Sequence, residues 1–280
     1  MNKERLTITL DKKVLSAVDE TIDGINVRNR SHAIERLIEL ALLQNTSQKA
    51  VILAGGDTIL SKGKRTPKSM VMAGGLPLLE YTIRMLSKNN TNDIVILAGE
   101  NSEEISNYFG DGSSFGVRIT YVVENKRRGT EGALFFARGL VGHGPFFVLN
   151  GDNYYDFNIA EMYKQHIITK ALVTIALTTV EKTTGFGVTR LDGSRILDFV
   201  EKPAIEGSKL VSTGFYVFSN AALDLISKSN KPVMLERSLF PRLASMGKLH
   251  GYVVSGKWIP FDLGRLEAAI KGVEALTSSG

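Results

Sequence analysis

The run Pro145–Asp152, PFFVLNGD, constrains this chain more than any other stretch. Phe146 to Leu149, with Pro145 ahead of them, read as a strand buried on both faces, because a half-exposed strand would alternate apolar with polar. Asn150, Gly151 and Asp152 stop it. A doubly covered strand belongs to a layered α/β sheet, and in open α/β sheets ligands bind beyond the carboxyl ends of the strands. A carboxylate there, after a glycine that lets the backbone bend, is a natural ligand for a hard cation. An aspartate at such a place also caps turns. These eight residues leave both readings open.

Composition sets the frame. The 280 residues, 43% hydrophobic, suffice for one large core, or for an ordinary domain plus a small one. The absence of cysteine excludes disulfides and thiolate metal sites and fits a reducing compartment. MNKERL leads into no apolar h-region, so no signal peptide is expected. The most apolar long window, Gly132 to Gly151, contains Arg138, His143 and several glycines, whereas a membrane span needs ~20 predominantly apolar residues. A cytoplasmic protein without a membrane partner is expected. The net charge of +5 tolerates nucleotides or DNA without demanding them.

The first segment runs from Lys3 to about Gln44. Leu6, Ile8 and Leu10 alternate with Arg5, Thr7 and Thr9, which predicts a short half-buried strand. Asp11 is an N-cap candidate for a helix with Val14, Val18 and Ile22 on one face, closed at Gly24. Asn29-Arg30-Ser31 opens a second helix, with Ile34, Leu37, Ile38 and Ala41 at helical spacing. One strand and two helices cannot bury their apolar faces alone, so the strand is expected to pair with its counterpart in a second copy. The pattern RLTITLD…VLSAVDETI…NVRNRSHAIERLIELAL resembles the ribbon-helix-helix DNA-binding domains. That resemblance implies a ribbon in the major groove of double-stranded DNA, with Arg5, Thr7 and Thr9 facing base edges and Arg30 and Ser31 anchoring a phosphate. The segment's seven Lys/Arg are matched by seven Asp/Glu, so a simple dimerisation clamp is the competing reading.

Residues 45–49 read as a polar linker, and a second domain is expected over 50–280. It opens with an apolar strand running into Gly55-Gly56, a loop type that lets backbone N–H groups approach phosphate. Strands at 93–98 and 118–123 alternate with helices at 102–109 and 130–140, the signature of a parallel, doubly wound sheet. Beyond Asp152 the pattern becomes a helix at 159–166, then strands at 171–177, 187–190, 196–200 and 211–218, the middle two as a hairpin on an edge. Helices are expected at 222–227, 235–246 and 265–276. The predicted fold class is α/β, a doubly wound, mostly parallel Rossmann-like sheet preceded by a small dimeric ribbon-helix-helix domain.

From Ala50 onward the motifs VILAGG, TPK, GGLPLLEYTI, RGTEGAL, FFVLNGD, GFGVTRLDGSRILDFVEKP, STGFYVF and GKLHGYVVSGKWIPFDLG occur in that order. The segment resembles the sugar-1-phosphate nucleotidyltransferases, or NDP-sugar pyrophosphorylases. The resemblance implies attack of a sugar 1-phosphate on the α-phosphorus of an NTP, with Mg²⁺ held by Asp152 and Asp262. It places Lys68 on the NTP phosphates and Lys202 on the sugar phosphate. It assigns Leu53, Ala54, Gly55, Gly56, Glu124, Gly129 and Thr130 to the nucleotide, and Gly151, Glu201, Ser212 and Gly214 to the sugar. The homodimer through the N-terminal ribbon is open to further pairing into a tetramer.

Some residues depart from the family pattern. Gly55-Gly56 is followed by Asp57-Thr58-Ile59-Leu60, without the third glycine and the arginine of the usual loop, and Glu131 replaces a small residue. Lys62, Lys64 and Arg65 are candidates to supply the missing charge. The alternative function is a transcriptional regulator whose altered transferase domain senses a nucleotide or sugar nucleotide.

Overall fold

The computed structural model describes residues 4–277 except 26, 46, 60–64, 101, 125, 205–207, 227–228, 230 and 262–265. The chain forms two compact units, residues 1–46 and 47–280.

In the first unit, helices α1 (Lys12–Glu20) and α2 (Arg30–Asn45) enclose Val18, Val27 and Ala33, with Ile22 and Ile34 packed against them. The Asp11 side chain caps α1 by accepting from the Lys13 amide at 2.8 Å, and Asn29 caps α2 by accepting from the His32 amide at 3.0 Å. Helix α1 ends at Glu20, so Gly24, in the left-handed region at φ 74°, serves the following turn rather than the helix cap. Residues 4–10 form no strand within the chain: a lone strand leaves its ladder groups unpaired, and Leu6 and Ile8 are 79% and 45% exposed.

The second unit begins with β1 (Lys49–Ala54), β2 (Asp57–Ile59), β3 (Arg65–Pro67), β4 (Met72–Ala73), β5 (Leu76–Pro77) and α3 (Leu78–Lys88). Then come β6 (Asp93–Ala98), α4 (Ser102–Phe109), β7 (Arg118–Val123), α5 (Gly129–Leu134) and β8 (Phe146–Asn150). The chain continues through β9 (Asn153–Asp156), α6 (Ile159–Thr169), β10 (Val173–Thr179), β11 (Gly187–Asp192), β12 (Arg195–Glu201) and β13 (Leu210–Phe218). It closes with α7 (Asn220–Leu223), α8 (Leu239–Ser245), β14 (Leu249–Val253), β15 (Lys257–Pro260) and α9 (Leu266–Thr277).

The central sheet has nine strands in the order β10-β14-β12-β11-β13-β8-β1-β6-β7. It is mixed, which corrects the expectation of a mostly parallel sheet. Parallel pairing is confined to β8-β1-β6-β7 and to β10-β14, and the remaining pairings are antiparallel. The cause lies beyond Asp152, where short turns replace helical crossovers and force neighbouring strands to run back. The hairpin β11–β12 is not at an edge either: β11 also pairs with β13, and β12 with β14. Because β10 joins β13 to β14, these five strands close on themselves.

Strand β8 lies between β1 and β13, and Phe146, Phe147, Val148 and Leu149 are fully buried. Each such side chain contributes about 1.5–3 kcal/mol by leaving water. The helix expected over 130–140 is shorter. After α5 a 3-10 turn at Phe135–Ala137 ends at Arg138, whose ψ of 138° leaves helical space ahead of Gly139 at φ 79°. Similarly, α8 starts at Leu239 because the amides of Arg237 and Ser238 both bond to Met234 O in a preceding turn. No helix among the described residues is long and apolar enough to cross a membrane.

Candidate active site

The parallel strands β1 and β8 end side by side, with Leu53 opposite Asn150. A cavity of about 470 Å³ opens beyond them. That is where α/β sheets bind ligands, because helix and strand ends there leave polar backbone groups facing outward. Gly151 makes the turn possible: its amide donates to Leu53 O at 3.0 Å, and a Cβ on it would lie 3.1 Å from Ile52 Cγ2. On the other flank Tyr155 ties β8 to β13, its hydroxyl lying 3.2 Å from Asn150 O and 3.1 Å from Gly214 O. Gly214 sits at φ 76°, and a Cβ there would be 2.4 Å from Asn150 Nδ2, so the two strands approach too closely for a side chain.

Of the residues expected from the sequence, Leu53, Gly55, Gly56, Lys68, Glu124, Gly129, Thr130, Asp152, Glu201, Lys202, Ser212 and Gly214 all line this one cavity. Ala54 and Gly151 do not; they pack behind its wall, where Ala54 Cβ is 3.4 Å from the place of a Cβ on Gly151. Asp262, Lys62 and Lys64 lie outside the described residues. Arg5, Thr7 and Thr9 are exposed in the first unit. Ser31 is exposed beside Arg30, which forms a two-point pair with Asp19 at 2.6 and 2.8 Å.

Asp152 and Lys68 face each other across the floor, Nζ to Oδ2 3.9 Å. Burial pushes the Asp152 carboxyl up, and Lys68 offsets that only in part. The Asp152 side chain keeps 30% of its surface open and has its cation beyond hydrogen-bond distance, so it is an oxygen donor of the kind a divalent cation prefers. Among the described residues no group of three His, Asp or Glu side chains could hold a metal by itself.

At one end, Glu124 follows β7, its amide bonded to Ala98 O at 2.9 Å. Burial raises its carboxyl, Arg128 lowers it, and Oε1 is buried without a hydrogen-bond partner. At the other end Glu201 closes β12 and Lys202 follows at φ 49°, its Nζ 3.8 Å from Glu201 Oε1. Burial first, and then nearby Glu236, raise the Glu201 carboxyl, while Lys202 and Arg237 oppose them.

Sequence reasoning missed several lining residues: Arg127, Asn150, Asn153, Tyr216, Glu236 and Trp258. Glu236 accepts from the Thr130 hydroxyl at 2.9 Å, and that hydroxyl accepts from the Leu235 amide at 2.9 Å. Thr130 thus faces the 235–236 segment. Ser212 is engaged as well, accepting from the Gly214 amide at 3.2 Å. Glu131, which follows Thr130, does not line the cavity. It is buried against the start of α8, where burial raises its carboxyl while hydrogen bonds from Ser238 and the Leu239 amide lower it.

Residues 49–279 match the family described as nucleotidyl transferase. The chain belongs to that family. A similar nucleotidyl transferase, the mannose-1-phosphate guanylyltransferase catalytic subunit beta of Dictyostelium discoideum, is 32% identical over 235 residues, covering 80% of this chain and 63% of the relative. The mannose-1-phosphate guanyltransferase of Schizosaccharomyces pombe is 31% identical over 242 residues, covering 82% and 65%. The chain thus spans just under two thirds of the length of these relatives. A Bacillus anthracis structure assigned as a glucose-1-phosphate thymidylyltransferase, in complex with a sucrose, superposes with a TM-score of 0.74 at 26% identity, covering 81% of this chain and 95% of that one. A UDP-glucose pyrophosphorylase complexed with UDP-glucose shares the fold at a TM-score of 0.70 and 20% identity, covering 84% and 100%.

Proposed function

We propose that this nucleotidyl transferase joins a nucleoside triphosphate to a sugar 1-phosphate, releasing pyrophosphate, with GTP and mannose 1-phosphate as its pair. The observation that carries the reaction is the meeting, in one cavity, of Lys68 and Asp152 with Glu201 and Lys202. Guanine is supported by relatives about 30% identical and by Glu124, a carboxylate that lines the cavity. Guanine offers a carboxylate two adjacent donors, N1–H and the N2 amino group.

A sugar-phosphate oxygen attacks the α-phosphorus, and pyrophosphate leaves on the opposite side, so the chain's work is positioning and charge. Gly55 and Gly56 leave backbone N–H groups open to the phosphates, and Lys68 neutralises them as a point charge. Lys202 holds the sugar phosphate in line, and Glu201 accepts from sugar hydroxyls. Mg²⁺ bound at Asp152 would supply the remaining countercharge to the phosphate oxygens. The test is pyrophosphate release with Mg²⁺ over a panel of four NTPs and several hexose 1-phosphates. Turnover greatest with GTP and mannose 1-phosphate is expected; no turnover with any pair refutes the enzyme.

The same outcome, together with nucleotide binding, would favour the second reading, a regulator that senses a nucleotide. Asp57 speaks for it, since a carboxylate directly after Gly56 opposes a triphosphate. In either case residues 1–44 form a ribbon-helix-helix domain. Its segment 4–10 pairs with that of a second copy and sets Arg5, Thr7 and Thr9 into DNA, with Arg30 and Ser31 at phosphate. Support comes from Leu6 and Ile8, apolar yet exposed on a segment without a strand partner in the chain. Salt-dependent binding to the gene's promoter DNA, weakened by Arg5→Ala, is expected; no binding at low salt leaves a dimerisation clamp.

A further inference from the structure

We propose that Arg127 is a triphosphate-binding residue and that Asp57 competes for it as an internal anion. This rests on the nucleotidyltransferase reading above. The described cations lining the cavity are Lys68, Arg127, Arg128 and Lys202. Arg128 is engaged in structure, stacked 5.0 Å over Phe136 and donating to Ser229 O at 3.2 Å. Lys68 answers Asp152, and Lys202 answers Glu201. Among these four, Arg127 is the cation whose anionic partner follows the glycine pair. Its Nη2 lies 3.7 Å from Asp57 Oδ2.

The asymmetry of that pair is what points to a ligand. The Arg127 side chain is 69% exposed and that of Asp57 is 9% exposed. A separation of 3.7 Å is an ion pair without a hydrogen bond, so the guanidinium spends none of its five donors on Asp57. Those donors form a planar fork that matches phosphate oxygens. Asp57 cannot follow when Arg127 turns to a ligand, because β2 pins it opposite Pro67, and the Lys68 amide is bonded to Gly56 O at 2.9 Å. Phosphates arriving over Gly55 and Gly56 and the Asp57 carboxylate therefore compete for one guanidinium. The two substitutions should act in opposite directions, which a merely structural pair would not do.

The test uses the full-length protein and the fluorescence of Trp258, the single tryptophan of the sequence, which lines the cavity. Mg²⁺ complexes of GTP, ATP, UTP and dTTP are titrated alongside the corresponding monophosphates, with circular dichroism confirming that each variant is folded. For the tightest triphosphate, Arg127→Ala is expected to weaken binding about tenfold, and Arg127→Lys less. Asp57→Asn is expected to tighten it severalfold. The monophosphate should be nearly indifferent to both. Equal weakening by Arg127→Ala and Asp57→Asn, or no change in the triphosphate-to-monophosphate ratio, overturns the proposal. A wild-type protein that binds no triphosphate removes the nucleotidyltransferase reading, and this inference with it.

Discussion

The two units of the chain treat their apolar residues in opposite ways. In the sheet unit, β8 is sealed on both sides by β1 and β13, and its aromatic residues pack on Tyr163, Phe215 and Phe218. Among the described residues of the helical unit, Val18, Val27 and Ala33 form the buried cluster, while Leu6, Ile8, Val14, Ile25, Leu37 and Ile38 are exposed. Apolar side chains left in water at these positions are the feature on which the proposed pairing with a second copy rests. The sheet unit has its core and its cavity within itself; the helical unit has a small core and, among its described residues, several apolar side chains at the surface.

Substitutions can break that contrast, the most damaging in the sheet. Phe147→Ala should destabilise the sheet unit by about 3–5 kcal/mol, measured by urea unfolding. Asp152→Asn should lower turnover about a thousandfold, ~4 kcal/mol in the barrier, while leaving the unfolding midpoint in place. A stability change as large as that for Phe147 would make Asp152 a structural residue instead.

A pH scan sharpens the same contrast. Burial, with His250 nearby, lowers the His166 imidazole to about 4, and both ring nitrogens are bonded, Nδ1 to Thr174 Oγ1 at 2.8 Å and Nε2 to Ser219 Oγ at 2.9 Å. The unfolded imidazole takes up its proton near pH 6.5, so the folded state loses stability as pH falls from about 6.5 towards 4. The loss should approach about 3 kcal/mol, and His166→Gln should flatten the dependence. The smallest effect on the sheet belongs to Leu6→Lys with Ile8→Lys. Sedimentation should show a dimer becoming a monomer, with the unfolding midpoint of the sheet unit changed by less than about 0.5 kcal/mol. A dimer that survives would place the contact elsewhere.

How much was legible in the sequence depended on where each side chain's surroundings come from. Strand β8 and Asp152 were legible because the apolar run and the Asn-Gly-Asp stop are local signals. The lining residues that stand in motifs, such as Lys68 and Glu201, were legible by their neighbours. Glu236 was not: it meets Thr130 from 106 residues away, and only folding brings the two together. The place of Glu131 was not legible: it lies next to Thr130 in sequence yet is buried against the start of α8. The mixed sheet was missed because the alternation of strands and helices before Asp152 is parallel, while the short turns after it reverse the chain.

The closure of β10 through β14 into a ring has a consequence for life in a crowded solution. An open nine-stranded sheet has two margins with unpaired backbone groups, each able to recruit a foreign strand. Here the β10 margin is used up, since β10 is flanked by both β13 and β14. The remaining margin of the nine-stranded sheet is β7, which carries Arg118 at its start, tied at 2.8 Å to Asp93. Among the described residues, the nine-stranded sheet thus exposes one seam to unwanted strand addition instead of two, and that seam begins with a charge.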